Sequence, residues 1–195
     1  MRDRHCVLIL AMMLLAGAGP ARALIIEFVP ADQTVALGGT ASVDVVIDGL
    51  GTGVAPSLGA FDLEITFDDA ILAPAGIAFG GLLGDGIVTS VNGGTLTAGR
   101  TDAFELSFLF PSELDALQPS TFTLLTLSFE ARSVGSAVLS LGRAILGDGF
   151  GDPLLLDSAG SGTVRVLAAS APVTEPPMLL LLGLGIGSAW LLRRR

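Results

Sequence analysis

Two aspartates four residues apart on a glycine-rich run, Asp148 and Asp152 in Gly147-Asp-Gly-Phe-Gly-Asp152, are spaced so that both carboxylates could reach one cation. Ca²⁺ is the ion such a run would suit, since it takes roughly six to eight oxygen ligands and tolerates irregular geometry. A helix-loop-helix calcium site needs acids at alternate positions and a later glutamate, and this run has neither. Repeat-type calcium sites need tandem copies, and the run occurs once. The same Gly and Asp residues also form turns through backbone geometry alone, so the run reads as a turn as well as a calcium site. A second acidic group is Asp68-Asp69, close to Asp62 and Glu64. Adjacent carboxylates can share a cation, and they also cap turns.

Other chemical tools are scarce. The single histidine and the single cysteine are His5 and Cys6, within an N-terminal segment expected to be removed. What remains has no Lys, no Tyr and no Cys, and the one tryptophan is Trp190, near the C-terminus. A His-based triad, a thiol nucleophile, His-ligated zinc and disulfides are therefore excluded. Paired carboxylates could still hydrolyse a glycoside, but the aromatic platform that usually holds sugar is missing. The sequence reads as a non-enzyme with no required cofactor, Ca²⁺ at Asp148 and Asp152 being the one candidate. Residues 24–172 carry seventeen acidic side chains against four arginines, a net charge of −13. Such a surface repels phosphate backbones and excludes a nucleic-acid partner.

The elements that must position these residues are strands. Residues 61–67 are the clearest, with Phe61, Leu63, Ile65 and Phe67 alternating with Asp62, Glu64 and Thr66. Residues 24–29, 40–47, 121–132, 136–141, 144–146 and 162–167 read as strands too, with 32–37 leading into a Gly38-Gly39 turn. Residues 103–110 alternate through Phe104, Leu106 and Phe108. Pro74 is expected to prevent an immediate return to a ladder. Asn92-Gly93 reads as the hairpin turn between 88–91 and 95–97. Ser112 is placed to cap one helical turn over 112–117. About nine short strands and no long amphipathic helix predict an all-β fold, an antiparallel two-sheet sandwich.

The two ends differ from this body. Arg2 and Arg4, an apolar stretch over residues 7–15, and Ala21-Arg22-Ala23 make a secretory signal with cleavage after Ala23. At the other end a hinge of Thr174, Glu175, Pro176 and Pro177 precedes an uncharged run over 178–192 and then Arg193, Arg194 and Arg195. In lipid the run is expected to be a short transmembrane helix, with the arginines stopping it on the cytoplasmic side. The domains are thus 1–23 signal peptide, 24–168 sandwich, 169–177 linker and sorting hinge, and 178–195 membrane helix with basic tail. Hinge, helix and arginines in this order resemble the PEP-CTERM sorting tail of Gram-negative bacteria. Glu175 and Pro176 fit the motif, and Thr174 stands where its first Pro would be. The resemblance implies processing by an exosortase-like protease at the inner membrane, then delivery to the cell surface or outside, often in an exopolysaccharide or biofilm matrix.

Between the ends, residues 35–40 (VALGGT), 42–47 (SVDVVI), 59–72 (GAFDLEITFDDAIL), 125–131 (LTLSFEA) and 135–141 (GSAVLSL) resemble the cohesin-type β-sandwich, a jelly-roll relative of carbohydrate-binding modules. Cohesins bind dockerin modules through one sheet face. The expected function is an exported structural or adhesive protein of the envelope or matrix. The alternative is a cohesin-like binding module for a protein partner or glycan, assisted by Ca²⁺.

Overall fold

The structure, a computed structural model, describes residues 23–169, and within them the chain forms twelve strands and one short helix. In chain order the strands begin with β1 (Ile25–Val29), β2 (Asp32–Ala36), β3 (Thr40–Asp48), β4 (Leu58–Thr66), β5 (Leu72–Phe79), β6 (Ser90–Thr97) and β7 (Arg100–Ser107). Helix α1 (Pro111–Leu117) is followed by β8 (Thr121–Ala131), β9 (Gly135–Asp148), β10 (Pro153–Leu154), β11 (Ser158–Ala159) and β12 (Ser161–Leu167). One sheet has the order β11-β1-β3-β8-β5; the other has β2-β12-β9-β4-β7-β6, with β10 added on β9. The expected two-sheet sandwich is present. Its pairings are antiparallel except β1 with β11 and β2 with β12, which are parallel.

Period-two patterning explains the core. Val43, Val45 and Ile47 of β3, Phe61, Leu63 and Ile65 of β4, and Leu125, Leu127 and Phe129 of β8 all point between the sheets and are buried. Phe67 packs edge-on to Phe129 with ring centroids 5.0 Å apart, a geometry favoured by the ring quadrupoles. Leu124 is buried beside Leu125 because β8 bulges there: Val45 pairs with Leu125, and Val46 with Thr123. The buried cluster runs from Leu24 to Val166, so the described residues enclose a hydrophobic core of their own, as a domain able to fold alone must.

Four expectations need correction. Pro74 does not keep the chain out of the sheets. It lies in β5, where an edge position and a register shift between Pro74 and Gly76 remove the need for its missing N–H. Asn92-Gly93 is not a turn but the middle of β6; the hairpin turn is Ala98-Gly99, where Gly99 has φ +75°. Segments 136–141 and 144–146 are one strand, β9, bulged opposite Glu64 and Ile65. Ser112 does not cap α1. The helix starts at Pro111, and Glu113 reaches back to accept the Phe110 N–H at 2.8 Å.

The two ends of the sandwich are unlike. Tight turns at 37–39, 98–99 and 132–134 close one end, here the turn end. The long connections 49–57, 80–89 and 108–120 and the 149–152 turn make the other, the loop end. Among the described residues no helix is long and apolar enough to cross a membrane. The expected signal helix, with Ala21, and the expected membrane helix, with Thr174, Glu175, Pro176 and Arg193 to Arg195, lie outside the described residues. Ala23 is the first described residue and is exposed.

Candidate binding face

The outward row of β7 holds the main departure from ordinary strand patterning. Thr97 pairs with Arg100 across the two-residue turn, which fixes β7 against β6, and Phe61, Leu63 and Ile65 must point inward on β4. Leu63 pairs with Ala103 and Phe61 with Glu105. Directly opposite residues share a face, so Thr101, Ala103 and Glu105 go in, and Phe104 and Leu106 go out. A slip of one residue would exchange the two sets.

The result is an apolar outer surface. Phe104 is 46% exposed, and its ring lies over Gly93, where an added Cβ would come within 3.0 Å of its Cε1. Val91 sits opposite Leu106, and Ile145 lies across Asp62 from Phe104. Ala60, Phe104, Leu106, Ile145, Gly147 and Pro153 line an open groove of about 470 Å³. The apolar character continues onto the loop end, where Phe108, Phe110, Phe150, Ile87 and Val88 are exposed, Ile87 to 85%. Of the ten phenylalanines in the sequence, the four that are exposed are therefore on this sheet or at its loop end.

Towards the turn end the same face becomes charged. Arg100 lies 3.0 Å from Asp102 and 3.6 Å from Glu64. Arg143 donates to Asp62 at 2.9 Å and lies 3.9 Å from Asp102. These pairs are exposed, so each contributes only a few tenths of a kcal/mol to about 1 kcal/mol; their effect is to border the apolar area. The outer face of the five-stranded sheet is polar by contrast, with Thr40 opposite Glu130, Ser42 opposite Ser128, and the Thr126 hydroxyl donating to Asp44 at 2.6 Å.

Acidic side chains stand at both ends of the sandwich, with Asp68 and Asp69 at the turn end, but the loop end holds acids without arginine among the described residues. Asp48, Asp85, Glu113, Asp115, Asp148 and Asp152 lie at the loop end. The arginines of the described residues lie elsewhere: Arg100 and Arg132 at the turn end, Arg143 within β9 and Arg165 on β12. Asp85 is held well below the usual carboxylate range by the N–H groups of Thr89, Ile87 and Val88, and so organises the 85–89 loop as an anion.

Of the acidic residues singled out from the sequence, Asp148 and Asp68 take turn roles. Asp148 Oδ1 accepts N–H bonds from Phe150 at 2.8 Å and Asp152 at 2.9 Å, while the Asp152 side chain stays exposed. Asp68 Oδ1 accepts the Ala70 N–H at 3.0 Å. Among the described residues, no group of three or more His, Cys, Asp or Glu side chains is arranged to hold a metal ion. The sequence reading missed Phe104, Leu106 and Ile145 as surface residues. Phe104 goes out because β4 sets Leu63 against Ala103, a long-range pairing with no local signal in the sequence; Gly99 marks only the β6–β7 turn.

No protein-family model matches the chain, and no curated protein is similar to it in sequence. Solved structures are similar in fold, cohesins among them. The cohesin in a complex of OlpA cohesin with a dockerin, from Clostridium thermocellum, superposes with a TM-score of 0.61 at 10% identity, over 74% of this chain and 99% of that one. The cohesin CaCohA2 from Clostridium acetobutylicum gives 0.60 at 18% identity, over 78% and 95%. A non-cellulosomal cohesin from the archaeon Archaeoglobus fulgidus gives 0.57 at 15% identity, over 75% and 92%. The described residues thus have a cohesin-like β-sandwich fold.

Proposed function

We propose that this chain is a non-enzymatic binding module that docks a protein partner on the outer face of β6, β7, β4 and β9 and the adjoining loop end. One observation carries the reading: the exposed phenylalanines gather there, beside Leu106 and Ile145, while the opposite sheet presents a polar face. A contiguous apolar area rimmed by charge is the usual mark of an interaction surface. Aromatic side chains supply much of the energy at such surfaces. The similar OlpA cohesin was solved with a dockerin partner, which supports a protein partner over a glycan. Acidic charge at the loop end favours a partner with basic side chains around its apolar contact.

The terminal segments supply the route in this reading. A signal sequence ending at Ala23 exports the chain, and the tail from Thr174 to Arg195 holds it at the inner membrane until an exosortase-like protease releases it towards the cell surface.

Site-directed photo-crosslinking in the cell that makes the full chain tests the docking surface. A photoreactive residue at position 104 is expected to give one discrete protein adduct, and the same residue at position 42, on the polar sheet, none. Phe110→Asp is expected to weaken the adduct by about tenfold or more. No adduct at 104, or equal adducts at both positions, overturns the proposal.

A further inference from the structure

We infer that β6 is a docking edge for a second copy of this chain, pairing antiparallel with its counterpart so that the seven-stranded sheets of two molecules become continuous. This does not depend on what occupies the outer face.

A sheet edge offers unpaired N–H and C=O groups, and proteins ordinarily blunt it with charge, proline, bulges or brevity. Among the described residues, three of the four sheet edges are blunted. β11 has two residues, β5 carries Pro74 and an irregular register, and β2 is short and starts at Asp32 behind Pro30. β6 has none of these devices. It is eight residues long, and residues 86–99 contain neither a charged side chain nor a proline.

The free hydrogen-bonding groups can be named. Phe108 donates to Thr89 across the β6–β7 ladder at 2.8 Å, and bonded pairs alternate in an antiparallel ladder. With the observed register, Val91, Gly93, Thr95 and Thr97 bond to β7. Asn92, Gly94 and Leu96 therefore turn their N–H and C=O groups to the open side. Among the described residues, no backbone bond from these three reaches another segment.

Charge selects the occupant. Most surfaces of so acidic a chain repel a second copy. The neutral stretch 86–99 is where two copies meet without opposing carboxylates. A two-fold axis at Gly94 pairs Gly94 with Gly94 and Asn92 with Leu96 of the other copy, giving about six new backbone hydrogen bonds. Small residues at Gly93 and Gly94 allow the approach, and the apolar areas around Val91 and Leu106 of both copies join into one.

The test is sedimentation velocity on residues 23–169 from micromolar to submillimolar concentration, combined with amide exchange on that domain and on the full chain. A concentration-dependent dimer is expected, with the Gly94 and Leu96 amides exchanging about tenfold slower in it than in the monomer. Leu96→Lys is expected to be monomeric throughout, while Val138→Lys, on the outer face of β9, still dimerises. The exchange readout uses the unaltered chain, so it stands even where Leu96→Lys fails to fold. A chain that stays monomeric overturns the inference, as does a dimer whose Gly94 and Leu96 amides exchange at the monomer rate. A monomer that instead takes an extended peptide of another protein on β6 also overturns it.

Discussion

Glu105 is a carboxyl group in an apolar place. Its side chain is 1% exposed, and Oε1 accepts from the Ser90 hydroxyl at 2.9 Å and from the Asn92 amide at 3.5 Å. Oε2 is buried without a hydrogen-bond partner. Burial pushes its pKa above the usual carboxylate value, against the opposing effect of the Ser90 and Asn92 bonds. A raised folded pKa gives a contribution that is fully present below the unfolded value and is lost as pH rises through the folded one. Glu105→Gln is therefore expected to stabilise the domain at neutral pH by about 1 kcal/mol, with the gain vanishing towards pH 4. Denaturant melts at both pH values check this; equal effects at both would contradict it. The position was not legible in the sequence, because Phe104 and Glu105 are neighbours on a strand and alternation alone suggests burying the phenylalanine. Asp148 was legible as a turn residue, and its Oδ1 accepts two backbone N–H groups.

At the scale of elements, what could be read depended on how local the cause was. β3, β4 and β8 were legible because a strict period of two needs no outside information. β5 was not, since its sequence LAPAGIAF carries Pro74 and Gly76 and only its edge position makes them acceptable. β6 was obscured by Asn92-Gly93, a pair that favours hairpin turns when nothing else decides. Gly99 decided instead, through its positive φ. An added Cβ there would come no closer than 3.4 Å to another atom, so the cost of substitution is conformational rather than steric. Gly99→Ala is expected to lower stability by about 1–2 kcal/mol, and Gly99→Asn by less, since Asn tolerates that conformation better. Thermal melts that ranked the two in the opposite order would remove Gly99 as the register-setting residue. Because the pairing with β4 sets which face of β7 is outward, the candidate face was not readable from local patterning.

Over the whole molecule, strand patterning foretold the fold class and composition the acidity, but neither foretold that Phe108, Phe110 and Phe150 would gather at an end that holds acids and, among the described residues, no arginine. Connection length contributes: the loops at 49–57, 80–89 and 108–120 carry many side chains to that end. The proposed route also belongs to this scale. Mass spectrometry of the chain recovered from outside its cell is expected to show an N-terminus at Leu24 and a C-terminus near Thr174; a chain intact at both ends would contradict the proposal. The ends of the sandwich have a mechanical implication as well. β12 finishes at the turn end, where Leu167 accepts the Leu37 N–H at 2.8 Å, while Phe110 and Phe150 stand at the far end. Tension between a seated partner and whatever holds the C-terminus would run along the strands. It would load the bonds of β12 to β9 and β2 together, in shear, rather than peel them apart one at a time.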